Sequence, residues 1–206
     1  MARRKQARQK FYGSTRVIFD KNLNLVNQPD SKLEADYYVL QRILGAEFIQ
    51  SQPRELPHFL GGKLVNYTPD FEVIIKGVRY IIEIKYFKDT LNQDFKDKVA
   101  FLINEYLKQG AIFKVVTEFD VYDGENVNNA YLLLPSLSHP SPVSSFKNLV
   151  NGLESRAYSM SEMKSLAIER GIKPIIIRRA IAHGLFSVDL TLRYSQWMLT
   201  IDKVTH

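Results

Sequence analysis

The sequence predicts an α/β protein: a mixed β-sheet flanked by helices, with a small winged-helix-like domain at the C-terminus. Apolar residues recur at helical spacing in residues 30–44, whereas residues 48–87 contain apolar extended segments broken at glycines. A second helical pattern, residues 89–110, is followed by another apolar segment, residues 111–119. The order helix, antiparallel hairpins, helix and strand is typical of a sheet with helices on its faces.

Each element has a local signal. The segments "KLVNYTPDFEVII" and "VRYIIEIKYF" are rich in β-branched and aromatic residues, and Lys76-Gly77 between them predicts a two-residue hairpin loop. The long helix ends at Gly110, since glycine is the usual residue just past a helix C-terminus. The apolar "AIFKVVTEF" predicts a strand, and "AYLLL" at residues 130–134 predicts a further one.

A segment rich in proline and serine, "LPSLSHPSPVSS", divides the chain. We therefore predict a basic arm at residues 1–15, a core domain at 16–138, an interdomain linker at 139–150 and a C-terminal domain at 151–206. In the last of these, two short helices on either side of Gly171 and a trailing β-ribbon predict a winged helix-turn-helix.

Composition limits the chemistry that the chain can perform. With no cysteine among 206 residues there is no disulfide, no thiolate nucleophile and no cysteine-based zinc site. The four histidines are scattered and form no zinc-ligand pair. Any metal would then be held by oxygen ligands, which favours magnesium or manganese. No apolar run approaches the ~20 residues of a membrane span, so a soluble, intracellular protein is expected.

The net charge of +6 favours a polyanionic partner. Five basic residues occur within the first ten positions with no acid between them: Arg3, Arg4, Lys5, Arg8 and Lys10. Such an arm could neutralise phosphates of a nucleic acid. It could equally be a solvated tail that aids solubility.

The predicted hairpin brings acidic residues together. Counting outward from the loop, Asp70 falls opposite Glu83, and Lys85 points to the same face because side chains alternate along a strand. Two bare carboxylates about 5 Å apart repel each other by roughly 3 kcal/mol at an effective dielectric constant near 20. A divalent cation between them would remove this cost, as would a proton on one of them. The alternative is a Lys–Glu pair on an exposed strand face, with Lys85 alone balancing the charge.

A metal held by Asp and Glu beside a Lys is an arrangement that cleaves phosphodiesters. The cation withdraws charge from the phosphate and lowers the pKa of a bound water, and the Lys orients the water or stabilises the transition state. Pro69-Asp70, twelve intervening residues and then Glu83-Ile84-Lys85 match the PD-(D/E)xK pattern of metal-dependent nucleases. The pattern alone is loose, and the helix and hairpin around it give it weight.

Glu34 lies near the start of the first predicted helix. Ser31-Lys32-Leu33-Glu34 spells a capping box, in which Glu34 would reach back to the start of the helix. An acid on the first helix also commonly completes the metal site of these nucleases. Both roles are open, and they coexist only if Glu34 still reaches the metal.

At these residues the chain resembles the TnsA family, the endonuclease subunit of heteromeric cut-and-paste transposases. The matching segments, in the family's order, are "SKLEADYYVL", "QSQPRELP", "NYTPDFEVII", "YIIEIKYF" and "VVTEFD". The resemblance covers residues 30–120 well and residues 155–200 loosely. It implies a restriction-endonuclease-like core that uses Mg²⁺, or Mn²⁺ in its place, to cut one DNA strand at the 5′ ends of a transposon.

The resemblance also implies roles and partners. Glu34, Asp70, Glu83 and Lys85 would be catalytic, with Asp70, Glu83, Glu34 (directly or through water) and the Ile84 carbonyl around the metal. A DDE-family transposase would cut the other strand, and an AAA+ ATPase regulator would contact the C-terminal domain. The setting implied is prokaryotic, cytoplasmic and nucleoid-associated. Two alternatives stay open: another nuclease of this superfamily acting alone in phage DNA processing, restriction or repair, and a catalytically dead DNA-binding module.

Three basic residues mark the second helix of the C-terminal domain: Lys173, Arg178 and Arg179. They could contact DNA phosphates or a groove edge. They could also form a solvated face or a surface for a protein partner. Trp197 and the nearby isoleucines are predicted to form the core of this domain.

Overall fold

The computed structural model describes residues 18–20, 25–53, 55–60 and 63–201, so the basic arm lies outside the described residues. In the N-terminal part the elements are β1 (Ile18–Asp20), β2 (Leu25–Asn27), α1 (Lys32–Ile43), β3 (Phe48–Ser51), β4 (Leu56–Leu60), β5 (Lys63–Tyr67), β6 (Phe71–Ile75), β7 (Val78–Ile84), α2 (Phe87–Thr90), α3 (Gln93–Lys108), β8 (Ile112–Val116), α4 (Glu118–Val121) and α5 (Asn126–Leu133). The predicted first helix, hairpin, long helix and following strand are therefore all present.

The central sheet is mixed. Its strand order is β3-β6-β7-β8, where the first three strands pair antiparallel and β8 runs parallel to β7. The parallel pair requires a crossover connection, which α2 and α3 provide. Helices cover both faces, which confirms the predicted mixed α/β class. Two further hairpins, β1–β2 and β4–β5, lie outside this sheet.

The two faces of the β6–β7 hairpin have separate cores. Phe71, Val73 and Ile82 are almost fully buried on one face, where they pack with α1; the Phe71 ring lies 5.5 Å from that of Tyr37. On the other face Ile81 packs under α3 in a smaller core. The alternation of side chains along a strand produces this division.

The hairpin loop explains the register. Lys76 and Gly77 both have positive φ, of 50° and 71°, as a two-residue type I′ turn requires. Ile75 pairs with Val78, and the register continues to Phe71 opposite Ile82. A one-residue slip would move every side chain to the wrong core, so the loop and the hydrophobic pattern specify the same pairing.

A buried acid fastens α1 to its neighbours. Asp36 is 1% exposed, and its carboxylate accepts hydrogen bonds from the hydroxyls of Tyr122 (2.7 Å) and Tyr131 (3.0 Å) and pairs with Lys32. These contacts connect α1 to the segments around α4 and α5. Because all of its partners are internal, Asp36 has a structural role.

The segment "AYLLL" is helical, so the prediction of a strand there was wrong. It forms the end of α5 and a 3₁₀ turn, Leu134–Ser138. Val127, Ala130 and Leu133 are buried at spacings of three, which is the periodicity of a helix. A five-residue apolar run is too short to show its period, and this one contains no β-branched residue to favour a strand.

The predicted linker is largely a helix. Within residues 139–150, α6 (Val143–Val150) is regular, and its Phe146 and Leu149 are buried in a core shared with Leu133. Only residues 139–142 lack regular structure. The prolines that suggested a linker precede the helix, whose amphipathic pattern then buries one face against the C-terminal residues.

The C-terminal part contains α6, β9 (Tyr158–Ser159), α7 (Met160–Glu169), α8 (Ile175–Ala182), β10 (Phe186–Ser187) and β11 (Met198–Ile201). Its three short strands form a sheet in the order β10-β11-β9. Trp197 and Ile177 are fully buried and Ile181 is 5% exposed, as predicted, whereas Ile175, also predicted to lie in this core, is 43% exposed. Ser159 with Glu162 forms a capping box at α7. Gly171, at a φ of 66°, separates the two helices.

The two parts of the chain are in direct contact. The Asn129 side-chain amide donates to the carbonyls of Leu190 (2.7 Å) and Leu192 (2.8 Å). The Glu125 N–H donates to the Thr191 carbonyl at 2.9 Å. Since a buried asparagine satisfies these carbonyls, the loop before β11 is held against the start of α5.

Gly124→Ala is expected to destabilise this contact. A Cβ at Gly124 would lie 2.3 Å from the Thr191 carbonyl oxygen, and its φ of +52° is unfavourable for any L side chain. Overpacking and backbone strain together should lower the free energy of unfolding by about 2–4 kcal/mol, as measured by denaturant unfolding.

Gly152→Ala is the matched control. Gly152 also has a positive φ, of +73°, but a Cβ there would meet no atom within 4 Å. Only the backbone strain of a left-handed alanine applies, so the free energy of unfolding is expected to fall by about 1 kcal/mol. Equal losses for the two variants would show that the Gly124–Thr191 approach does not contribute.

No helix among the described residues is both long and apolar enough to cross a membrane.

Candidate active site

Asp70 lies just before β6, at the open end of the hairpin. Its N–H donates to the Ile82 carbonyl (3.1 Å), and its Oδ2 accepts a hydrogen bond from the Ile84 N–H at 2.6 Å. Continuing the register by one residue beyond Phe71–Ile82 brings Asp70 beside Glu83, as the two-residue loop predicted. The backbone of one strand therefore orients the carboxylate of the other.

Glu83 is almost completely buried, with 4% of its surface exposed. Its Oε1 lies 3.2 Å from Lys85 Nζ and 3.6 Å from Lys98 Nζ. Its Oε2 accepts a hydrogen bond from the Tyr67 hydroxyl. Burial and the neighbouring Glu83 carboxylate raise the pKa of Tyr67, so the hydroxyl keeps its proton and remains a donor.

Lys85 joins the acids electrostatically. Burial by itself lowers the pKa of its ammonium, but attraction by Glu83 and Asp70 outweighs this effect and the pKa is raised overall. The side chain is 37% exposed, so one side of the ammonium is accessible from solvent. A lysine that stays charged and is partly exposed can contact an anionic ligand.

Asp70 is the group whose charge is least compensated. Burial, and then repulsion by Glu83, raise its pKa to about 7, despite the opposing effects of Lys85 and the Ile84 N–H. Among the described residues, Oδ1 has no hydrogen-bond partner. Near neutral pH this carboxyl therefore either keeps its proton or needs a cation.

Glu34 has the capping role that the sequence offered as one of two possibilities. Its Oε1 accepts from the Ser31 hydroxyl and its Oε2 from the Asp30 N–H, both at 2.8 Å. Burial raises its pKa, and it also interacts electrostatically with Lys85 and Asp70. It lies within electrostatic range of the cluster, and each of its oxygens accepts one hydrogen bond in the cap.

The residues present fit a magnesium ion held by few protein ligands. Among the described residues, no group of three or more His, Cys, Asp or Glu side chains is arranged to hold a metal. Mg²⁺ usually keeps several waters and binds through one or two carboxylates plus substrate phosphate. Asp70 and Glu83 supply that pair. The N–H of Ile84 donates a hydrogen bond to the Asp70 carboxylate, and its carbonyl remains a predicted metal ligand.

The sequence interpretation missed Lys98 and Tyr67. Lys98 lies on α3 about one helical turn before Leu102 and two turns before Tyr106. These two side chains face the sheet and are 2% and 0% exposed. Extending that spacing backwards would have placed Lys98 over the hairpin. Tyr67 ends β5 and is 8% exposed, and only the fold brings it to Glu83.

Of the predicted DNA-binding residues, the five of the basic arm lie outside the described residues, and the other three belong to the C-terminal part. Lys173 is exposed just before α8, whereas Arg178 and Arg179, within the helix, are half-buried. The Arg178 guanidinium lies 5.9 Å from the Tyr194 ring centroid, and His183 contacts the His139 carbonyl at 3.0 Å. Only Lys173 of the three basic residues is largely free to meet a phosphate.

No protein-family profile matches the chain, and no curated protein sequence matches it. Interpretation of the site therefore depends on its own geometry: a buried acid–lysine cluster at one end of a mixed sheet.

Proposed function

We propose that the protein is a metal-dependent endodeoxyribonuclease of the PD-(D/E)xK type. One observation carries the proposal. Asp70 lies beside Glu83, and Lys85 contacts the same Glu83, while Asp70 Oδ1 remains without a partner among the described residues. Burial and the neighbouring Glu83 raise the pKa of Asp70 to about 7, and a buried carboxyl with a perturbed pKa beside a charge partner is typical of a functional site.

The roles follow from these contacts. When bound, Mg²⁺ supplies electrophilic assistance to the phosphate and lowers the pKa of a coordinated water. Asp70, oriented by the Ile84 N–H, offers its free oxygen as a ligand, and Glu83 offers the second. Lys85 moves from Glu83 towards the phosphate, where its ammonium stabilises the developing negative charge.

The proposal extends to the specific fold of each part and to the biological role. The order β3-β6-β7-β8 supports a restriction-endonuclease-like core, and the order helix, strand, two helices, two strands from α6 to β11 supports a winged helix. We infer a TnsA-like enzyme that cuts one strand at the 5′ ends of a transposon with a DDE-family transposase. An AAA+ ATPase regulator would bind the C-terminal part.

Lys85→Met is the first test of this assignment. The variant should bind Mn²⁺ at least as well as the wild type, because a competing cation is removed, but turnover should fall by about 10²–10³-fold. The assay is Mg²⁺-dependent cleavage of transposon-end DNA with the partner transposase present, alongside nicking of a supercoiled plasmid by the protein alone.

Lys96→Met is the control for this experiment, since Lys96 is exposed on α3. Cleavage by Lys85→Met at the wild-type rate would refute the role of Lys85. Nicking by the protein alone, with no effect of the transposase, would favour a nuclease that acts independently.

A further inference from the structure

Two ammonium groups share one carboxylate oxygen in this site. Lys85 Nζ and Lys98 Nζ lie 3.2 Å and 3.6 Å from Glu83 Oε1. They come from different elements: Lys85 follows β7, whereas Lys98 belongs to α3. Two ammonium groups therefore lie close to the negative charge of Glu83, whereas the charge of the neighbouring Asp70 carboxylate is poorly compensated.

A second lysine beside Glu83 is needed if Lys85 leaves Glu83 during catalysis. That Lys85 leaves rests on the function proposed above. An ammonium that turns towards a DNA phosphate has to leave Glu83. A carboxylate with only 4% of its surface exposed cannot be resolvated by water, so losing its partner would be costly. A second lysine on the same oxygen removes that cost.

We propose that Lys98 is a positioning residue that keeps Glu83 paired and oriented while Lys85 engages the substrate. Tyr67 holds the other oxygen of Glu83 by donating its hydroxyl hydrogen. The two holding groups also contact each other, because Lys98 Nζ lies 4.3 Å from the centroid of the Tyr67 ring.

The setting of Lys98 suits a stationary role. It continues the buried stripe of α3 formed by Leu102 and Tyr106, and these side chains anchor the helix on the sheet. The Tyr106 ring stacks on Phe113 of β8, with centroids 5.7 Å apart. Lys85 and Lys98 have equally exposed side chains, at 37% and 36%, and the Lys85 N–H donates to the Val116 carbonyl at 3.1 Å. The contact with the Tyr67 ring is what distinguishes Lys98.

Lys98→Met tests the proposal, because methionine keeps the aliphatic stem and removes the charge. In calorimetric titration of Mn²⁺ without DNA, the variant should bind the metal about tenfold more tightly, since one repelling charge is gone. Turnover at saturating Mg²⁺ should fall about tenfold, because Lys85 is then retained by Glu83. Affinity for DNA in metal-free buffer should not change.

Two further variants sharpen the experiment. Lys98→Arg keeps the charge and should retain wild-type metal affinity and most of the turnover, which also covers the possibility that Lys98→Met folds poorly. Lys96→Met, on the exposed side of α3, should change none of the three measurements.

Four results would contradict the proposal. Unchanged Mn²⁺ affinity in Lys98→Met would show that Lys98 does not act on the metal ligands. Weaker DNA binding would make it a substrate contact instead. A wild-type protein that binds no Mn²⁺ and cuts no DNA even with its partner would overturn the proposed function and this inference together, whereas a cutting wild type with an unaltered variant would overturn this inference alone.

Discussion

Asp70→Asn is expected to abolish strand cleavage, by about a thousandfold or more, while leaving the protein folded. Asparagine has the same shape as aspartate, and its carbonyl oxygen can still accept the hydrogen bond from the Ile84 N–H. It lacks the charge that would bind the metal. The loss should appear in Mg²⁺-dependent cleavage of transposon-end DNA with the partner transposase and should not be restored by raising the Mg²⁺ concentration.

Glu72→Gln provides the control on the same strand. Glu72 lies two residues further along and pairs with Arg79 at 2.7 Å, away from the Asp70 carboxyl. This variant should cleave normally, whereas Glu83→Gln should lose activity as Asp70→Asn does. Wild-type cleavage by Asp70→Asn would remove Asp70 from the site, and with it the nuclease assignment.

The second large effect is on stability in metal-free buffer, where Asp70→Asn should be more stable than the wild type above pH 7. Burial and Glu83 raise the pKa of the Asp70 carboxyl to about 7 in the folded protein, compared with an ordinary value of 3.8. The folded state therefore binds its proton more tightly than the unfolded state does. Wild-type stability consequently falls as the pH rises from about 4 to about 7 and stays low above that range.

The size of this stability difference follows from the change in the pKa of Asp70 between the unfolded and the folded state. About three pKa units correspond to roughly 4 kcal/mol, and the partial exposure of Asp70 reduces this to about 2 kcal/mol. For a chain of this length the melting temperature of Asp70→Asn should exceed that of the wild type by about 4–8 °C at pH 8. The difference should shrink as the pH falls below 7 and vanish only below about pH 4, where the carboxyl is protonated in both the folded and the unfolded state.

Magnesium supplies an independent check by calorimetry at pH 8. The cation should raise the melting temperature of the wild type, because it binds the folded state, and leave that of Asp70→Asn unchanged. If the variant melts below the wild type in EDTA at pH 8, the Asp70 carboxylate is stabilised by partners and needs no cation.

Local signals in the sequence were sufficient for the hairpin and its acids. Lys76-Gly77 permits the positive φ angles of a type I′ loop, and the alternation around it gives the register. From these two features the placement of Asp70 beside Glu83 follows by counting. The N-cap at Ser31 was equally local: its hydroxyl oxygen accepts from the Glu34 N–H, although the Glu34 carboxylate reaches back to the Asp30 N–H and not to the Ser31 N–H of a full capping box.

The way in which each charge of the site is compensated could not be predicted from such local signals. The sequence placed one lysine beside two acids, whereas the structure places two on Glu83 and leaves Asp70 as the uncompensated group. Lys98 reaches Glu83 only because α3 crosses over the sheet to β8. The short strand predicted at residues 130–134 was wrong, and most of the predicted linker at 139–150 is the helix α6, for a related reason: burial against distant residues selects a helix in both places.

By itself, then, the sequence determined which residues could meet across a tight turn, because strand geometry is periodic and local. Only the tertiary structure decided how each charge is compensated, since desolvation and ion pairing depend on elements far apart in the chain. The physical reason is that the pKa of a carboxylate depends on every group packed around it, and for Asp70 those groups include Glu34 in the helix cap and Glu83, Ile84 and Lys85 at the end of β7.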